Sequence, residues 1–173
     1  MAGNVDYTQG AMRNAVKKDF RDIYSSPMSQ GTRCHQLATY IVFDSPLVML
    51  CDAPTAYRKE PECTRFIAGL PVVADETRIL QGKMGEYIVT ARRVGEDWIV
   101  GGLTDWEART VDLDLSFLPE GMFRAEIFCD GINADKKGED YRHEYRDVKR
   151  EDRLKMQLAP GGGFAIRLKK NHN

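Results

Sequence analysis

The sequence lacks the features that would most directly place a protein in a membrane, a secretory route or a metal-dependent class. No run approaches the roughly 20 apolar residues that a membrane-spanning helix needs, and the first residues, MAGNVDYTQG, have neither a basic start nor the apolar stretch of a secretory signal. The 4 cysteines are widely spaced without a CxxC pair, and only 3 histidines are present, so we expect no zinc site or redox motif. We interpret the cysteines as small core residues.

An excess of charge of either sign is also missing. The chain has 25 basic and 26 acidic residues, a formal net charge of -1, so no overall field attracts it to nucleic acid or to an anionic membrane. Its 42% hydrophobic content suits a globular protein, and 173 residues suffice for one large domain or two small ones. We therefore expect neither a nucleic-acid partner nor a membrane span.

The N-terminal half has the pattern of an α/β protein. Apolar residues at helical spacing predict a helix over residues 32–43 and another that begins near Pro61, with a weaker indication over residues 13–24. Residues 47–51 form an uninterrupted apolar run, LVMLC, which predicts a strand buried on both faces. One strand cannot form a sheet, and a barrel needs about 250 residues. We therefore expect this half to be the last part of a larger α/β domain whose earlier strands lie upstream of Met1.

The C-terminal half predicts strands almost throughout. Residues 110–117, TVDLDLSF, alternate polar and apolar side chains, which is the period-two pattern of a half-buried strand. The strand candidates, separated by turn-like segments, are residues 76–80, 86–93, 97–103, 109–117, 122–129, 141–148, 153–158 and 163–169. About eight short strands at this spacing indicate an antiparallel β-sandwich. The predicted fold class is thus an α+β fragment, in which βα elements precede the sandwich.

Four residues are candidates for a binding site. Asp52 follows the apolar run at the end where α/β barrels place their catalytic groups, although an Asp in a DAP turn is also a common helix cap. Asp6 and Tyr7 could lie at another strand end above a pocket, or belong to an ordinary loop. Trp106, in the turn TDWEA, is the tryptophan expected to be exposed, and its ring could stack on a sugar.

Other candidates have simpler structural explanations. His35 beside Cys34 gives no nucleophile pair on sequence alone, and core packing is the preferred interpretation. The oxygen-rich segment DGINADKKGED over residues 130–140 lacks EF-hand spacing and is better interpreted as a polar hairpin loop than as a calcium site. No general acid–base pair, phosphate loop or nucleophile elbow is visible. The individual residues therefore predict no active site.

Longer stretches of the sequence resemble glycoside hydrolase family 97. They are VDYTQGAM, PMSQGTRCHQLATYIVFDSPLVMLCDAP, YRKEPECTRFIAGLP, DETRILQGKMGEYIVTARR, DWEARTVDLDLSFL, EIFCDGINADKKGEDY and LAPGGGFAIRL, which together extend over nearly the whole chain. The resemblance implies a parent enzyme with an N-terminal β-supersandwich, a catalytic (β/α)8 barrel and a small C-terminal β-sandwich. It also implies a calcium-dependent, exo-acting α-glucosidase or α-galactosidase that hydrolyses α-linked oligosaccharides and is periplasmic or secreted.

The resemblance divides the chain into a barrel remnant, residues 1–73, and a C-terminal β-sandwich domain, residues 74–173. The family's catalytic carboxylates and calcium-binding glutamates precede the DYT stretch. We therefore expect this chain to contain no catalytic residue, to bind no calcium and to be inactive without the missing N-terminal barrel region. The alternative hypothesis is a non-catalytic module for oligomerisation, barrel bracing or carbohydrate contact. Apolar surface at residues 47–50 and on the helix 32–43 would favour a homo-oligomer.

Overall fold

A computed structural model describes residues 6–171, in which β-strands predominate. In chain order the elements are β1 (Tyr7–Thr8), β2 (Asn14–Ala15), β3 (Ser29–Gln30), α1 (Arg33–Val42), β4 (Val48–Met49), α2 (Pro54–Lys59), α3 (Pro61–Ala68), β5 (Glu76–Lys83), β6 (Tyr87–Val94), β7 (Asp97–Thr104), β8 (Arg109–Asp114), β9 (Phe123–Asp130), β10 (Tyr141–Val148), β11 (Arg153–Leu158) and β12 (Gly163–Lys170). In this part of the chain, no helix is long and apolar enough to cross a membrane. The fold is mainly β, with few helices.

The long strands form one large antiparallel sheet and one ribbon. The sheet has six strands in the order β10-β9-β12-β7-β6-β5, and the ribbon pairs β8 with β11. Each of the eight strands predicted for the C-terminal half is present, and β10 and β11 have the predicted bounds. The antiparallel sheet expected from the alternating pattern is confirmed, and its arrangement with the ribbon is consistent with a β-sandwich.

The main hydrophobic core lies between the sheet and the ribbon. The ribbon contributes alternate residues of its two strands: Val111, Leu113, Leu154, Met156 and Leu158. The sheet contributes Val89, Trp98, Val100, Phe123, Ile127, Phe164 and Ile166 to the same core. Full burial of an aliphatic or phenyl side chain of this kind stabilises a fold by about 1.5–3 kcal/mol, so the period-two alternation decides which sheet face is dry.

Helix α1 packs on the opposite face of the sheet, which we call the outer face. It begins at Thr32, whose Oγ1 accepts a hydrogen bond from the backbone N–H of His35, and 9 of its 10 residues are buried. Glycines allow the close approach, because a Cβ on Gly101 would lie 2.9 Å from the Cβ of Ile41 and one on Gly163 would lie 2.9 Å from the Cα of His35. The expectation of exposed apolar surface on this helix is therefore wrong, since the sheet covers it.

The N-terminal half also shares a second core with the sheet. Cys34, Leu37 and Phe66 from the helices pack with Phe128 of β9 and Ala165 of β12. Helix α3 starts with Pro61 in its first turn, as predicted. The division between residues 1–73 and 74–173 stays a prediction. Residues from both parts contribute to this second core.

Two predictions for the N-terminal half are wrong. Residues 13–24 contain β2 and turns instead of a helix. The apolar run 47–51 contains only the two-residue β4, parallel to β1, and more than half of each of the side chains of Leu47, Met49 and Leu50 is exposed. A strand is buried on both faces only where neighbouring strands and helices cover it, and residues 6–171 supply one short neighbour.

Candidate functional site

Asp6 and Tyr7 do not converge with Asp52. Strands β1 and β4 are parallel, with Tyr7 opposite Val48, so Asp6 precedes the pair at its amino end while Asp52 follows it at its carboxyl end. Asp6 is exposed. The ring of Tyr7 packs edge-on against Phe43 at 4.6 Å, and burial raises the pKa of its phenol. Tyr7 thus has a packing partner within the chain.

Asp52 connects two segments of the backbone. Its Oδ2 accepts a hydrogen bond from the N–H of Met12 at 2.7 Å, and its Oδ1 accepts one from the N–H of Ala53 at 2.6 Å. The N-cap of α2 is Ala53, so Asp52 does not cap that helix. Its carboxylate holds the segment after β1 against the start of α2.

Trp106 lies far along the chain from these residues and packs against a different turn. A Cβ on Gly161 would overlap the indole ring of Trp106, and Lys17 places its Nζ 5.6 Å from the ring centroid. Gly161 also has a positive φ of 64°, which a side chain disfavours. A sugar-stacking role for Trp106 stays a prediction. The indole ring already contacts Gly161 and Lys17 within the chain.

A buried polar cluster around Arg33 escaped the sequence analysis. The side chain of Arg33 is fully buried, and its Nε and Nη2 each donate at 2.5 Å, to Asn14 Oδ1 and to the carbonyl of Met12. Its Nη1 lies 3.1 Å from Glu60 Oε2 without hydrogen-bond alignment, so charge alone holds this contact. A buried guanidinium is costly unless it is paired. The cluster therefore fixes β2 and the start of α3 against α1.

Gln36 extends this polar cluster by one helical turn. Its Oε1 accepts a hydrogen bond from Asn14 Nδ2 at 3.0 Å, and its Nε2 is directed at the carbonyls of Gln9, Gly10 and Ala11 at 3.1–3.2 Å. These backbone groups have no strand partner of their own in β1 or β2, which are only two residues long. The polar side of α1 thus replaces a strand in holding the segment between β1 and β2. The sequence did contain a signal for this cluster, because Arg33 and Gln36 lie in a helix whose other residues are largely apolar.

Asp130 joins the start of α1 to the sheet. At the end of β9, its carboxylate accepts hydrogen bonds from Thr32 Oγ1 at 2.6 Å and from the N–H groups of Ala159 and Gly163 at 2.9 and 3.0 Å. Burial raises the pKa of Asp130 to about 6, against the opposing effect of these three donors. Burial therefore has the larger effect on the pKa of this carboxyl group.

His35 contributes to the same junction. Its Nδ1 lies 3.1 Å from the carbonyl of Gly162, and because a carbonyl only accepts, Nδ1 carries the proton. Burial lowers the pKa of His35, so the imidazole is neutral near pH 7. This environment agrees with the core-packing interpretation.

The oxygen-rich loop 130–140 does not fit a calcium ion. The carboxylate of Asp130 is occupied by the donors described above, and Asp140 Oδ2 accepts a hydrogen bond from the N–H of Asn133 at 2.8 Å. Across residues 6–171, no group of three or more His, Cys, Asp or Glu side chains is placed to hold a metal ion. The loop has the hydrogen bonding of a folded polar turn.

An apolar surface of the N-terminal half surrounds β4. It comprises Leu47, Met49, Leu50 and Val72, and we call it the β4 surface. The exposure of Leu47, Met49 and Leu50 agrees with the expectation that this chain carries apolar surface at residues 47–50, although it contradicts the predicted buried strand. A cavity of about 260 Å³ adjoins this surface, lined by Tyr40, Val48, Leu50, Tyr57, Ile67, Leu70, Val72 and Arg92. An apolar surface beside an apolar cavity is typical of a site that another polypeptide covers.

Comparison with known proteins identifies relatives over almost the whole chain. Residues 73–169 match the family model described as glycosyl-hydrolase 97 C-terminal, oligomerisation. A retaining alpha-galactosidase of Bacteroides thetaiotaomicron is 57% identical over 169 residues, which is 98% of this chain and 26% of that protein. A probable retaining alpha-galactosidase of Streptomyces bingchenggensis is 27% identical over 94% of this chain and 23% of its own length. The chain thus spans about a quarter of the length of these curated relatives.

Solved structures agree with the sequence relatives. A glycoside hydrolase family 97 enzyme from Pseudoalteromonas sp. strain K8, in complex with acarbose, superposes with a TM-score of 0.80 at 38% identity over 82% of this chain and 23% of its own. A beta-arabinopyranosidase superposes with a TM-score of 0.65 at 27% identity over 83% of this chain and 22% of its own. Both comparisons extend over more than four fifths of this chain.

Proposed function

Because this chain belongs to glycosyl-hydrolase family 97, we propose that it is the C-terminal part of a retaining α-galactosidase. The observation that carries this proposal is the 57% identity to the Bacteroides thetaiotaomicron enzyme over 98% of the chain. The Streptomyces relative has the same described activity and supports the same choice over an α-glucosidase. The proposed substrate of the parent enzyme is an oligosaccharide with a terminal α-linked galactose.

The N-terminal segment is proposed to complete a (β/α)8 barrel. Two parallel strand pairs support this assignment, β1 with β4 and β2 with β3, since parallel pairs are the pairing that such barrels use. Helix α1 lies between β3 and β4 in the chain, as βα alternation requires. The upstream barrel region of the parent is the proposed partner that covers the β4 surface, because residues 47–50 carry apolar side chains that this chain leaves exposed.

The hydrolytic groups are proposed to come from the upstream region. Retaining glycosidases use two carboxyl groups about 5–5.5 Å apart, one as nucleophile and one as acid and base. Asp52 is the candidate carboxylate at the carboxyl end of β4, and both of its oxygens accept backbone N–H groups. Asp52 is therefore a positioning residue for the segment after β1. Asp6 cannot serve as its catalytic partner, because Asp6 lies at the opposite end of the strand pair. The calcium requirement and the periplasmic or secreted location are proposed for the parent enzyme alone.

Activity measurements on the chain and on the parent test the proposal. The 173-residue chain and the protein encoded with its upstream in-frame sequence would each be assayed on 4-nitrophenyl α-galactoside and α-glucoside, with calcium and with a chelator. We expect no turnover by the chain alone, and preferential α-galactoside hydrolysis by the longer protein, with α-galactose as the first anomer seen by NMR. Turnover by the chain above a matched blank would contradict the assignment of the carboxylates, and a preference for glucoside would contradict the substrate.

A further inference from the structure

The outer face of the six-stranded sheet is only partly covered by α1. Strands β5 and β6 extend beyond the helix, and a groove of about 800 Å³ lies open there. Ile79, Ile88 and Leu103 give it apolar walls, and Met84, in the turn between β5 and β6, stands at its rim. The side chain of Ile79 is 59% exposed and that of Met84 is fully exposed. We call this site the β5–β6 groove.

The strand register places these side chains on one face. Ile79 pairs with Thr90 and Ile88 pairs with Leu103, and paired residues of antiparallel strands point to the same side of a sheet. Leu103 and Ile88 contact the end of α1 through Ala38 and Val42, so the helix forms one wall of the groove. The sheet and the helix therefore form the groove together.

The two edges of the sheet are poor sites for association. Strand β10 carries Arg142, Glu144 and Arg146 opposite the core residues Cys129, Ile127 and Ala125, so its charges point to the inner face. Strand β5 has a register shift between Ile79 and Gln81. Inward charges and bulges are the devices by which natural sheets prevent edge-to-edge pairing. Another chain is therefore expected to contact a face.

The faces of the matched segment 73–169 offer few apolar alternatives. The outward side of the ribbon is charged, with Arg153 paired to Asp112 at 3.3 Å and to Asp114 at 2.6 Å. Val73, Met122, Ile132 and Tyr145 are also exposed. Val73 precedes β5, Met122 and Ile132 lie at opposite ends of β9, and the hydroxyl of Tyr145 donates a hydrogen bond to Glu126. The β5–β6 groove combines exposed apolar residues with a concave shape in the part of the chain whose family model is described as oligomerisation.

We propose that the β5–β6 groove binds a second copy of this chain in a twofold dimer, with Met84 of each copy in the groove of the other. A twofold interface uses the same patch on both copies, so that patch must be complementary to itself. Here a projecting methionine and an apolar groove lie side by side. At the rim, Lys83, Asp44 and Asp105 already have ion-pair partners within the chain, so we expect the contact to be mainly apolar. This inference rests on the proposed function, because the matched family model is described as oligomerisation, and it names the surface that forms the oligomer.

Sedimentation equilibrium of the 173-residue chain, from 1 to 100 μM, tests the proposal with matched variants. Ile79→Lys and Met84→Glu each place a charge in the groove or at its rim, and Leu50→Lys places one on the β4 surface as the control. Each altered side chain is more than half exposed, so the fold is expected to persist, and near-UV circular dichroism checks this. We expect Ile79→Lys and Met84→Glu to weaken the dimer at least tenfold and Leu50→Lys to leave it unchanged.

A photo-crosslinker at position 84 provides a measurement that does not depend on loss of association. We expect a covalent dimer whose cross-linked peptide comes from β5, β6 or β7 of the other copy. A dimer that Leu50→Lys disrupts and Ile79→Lys does not would overturn the proposal, as would cross-links confined to residues 47–72. A wild-type monomer at 100 μM would also overturn it while leaving the proposed galactosidase parentage intact, which the α-galactoside assay tests separately.

Discussion

Replacing Asp130 with Asn tests whether burial or hydrogen bonding controls this carboxyl group. Burial raises the pKa of Asp130 to about 6, compared with an ordinary aspartate value near 3.8. The folded state therefore binds this proton more tightly than the unfolded state does. The stabilising contribution of the protonated form is fully present below pH 3.8 and is lost as the pH rises through 6.

The size of the effect follows from the difference between the two pKa values. Two pH units correspond to about 3 kcal/mol of unfolding free energy, most of which is lost between pH 4 and pH 6. Asp130→Asn removes the titration and keeps a side chain that can meet the same partners: its oxygen can accept from Ala159 and Gly163, and its amide can donate to Thr32 Oγ1. The difference in stability between variant and wild type should therefore shift in favour of Asn by about 3 kcal/mol as the pH rises from 3 to 8.

Urea unfolding at a series of pH values measures this difference directly. Subtracting the wild-type values from those of the variant cancels the titration of all groups that the substitution leaves alone. Asp135→Asn, at an exposed position of the same loop, is the matched control for replacing a carboxylate with an amide. The reasoning is refuted if the Asp130→Asn difference is constant with pH. It is refuted as well if the variant loses stability relative to wild type above pH 5, because the three donors would then hold the carboxylate ionised and its pKa low.

Three further substitutions test the packing and the polar cluster. Gly101→Val should destabilise the chain by about 1–3 kcal/mol in urea unfolding, because its side chain would overlap Ile41 and a backbone carbonyl of α1; a neutral effect would contradict the close packing of helix and sheet. Arg33→Met should cost about 3–5 kcal/mol by leaving buried acceptors unpaired, and a loss no larger than that of the exposed control Arg153→Met would argue against the cluster. Asp52→Ala should speed hydrogen exchange at the Met12 amide with little change in global stability, and unchanged exchange would mean that the bond to Asp52 does not hold that segment.

The strands of the C-terminal half could be predicted from the sequence because the signals for them are local. Strands β10 and β11 are bounded by turn residues, and β11 also alternates strictly, so their ends could be assigned to the residue. The pairing order of the sheet was not predictable in the same way. Strand β12 lies between β9 and β7, a contact that depends on residues widely separated in the chain.

The candidate site was less accessible to sequence analysis because its residues depend on tertiary contacts. The helix over residues 32–43 was predicted within one residue at each end, but its burial was not, because Gly101 and Gly163 provide the space for it from another part of the chain. Arg33 was missed for the same reason, since its partners Asn14 and Glu60 lie on other elements. The prediction of a buried strand at residues 47–51 was wrong because an apolar sequence indicates that burial is favourable but does not indicate which chain segment would cover it.

We propose that this chain is the C-terminal part of a larger family 97 α-galactosidase, and the nucleotide sequence immediately upstream of the Met1 codon tests this proposal most directly. The account predicts an uninterrupted in-frame continuation that encodes the remaining barrel strands together with two catalytic carboxylates. An in-frame stop codon close upstream, with translation starting at Met1, would contradict it.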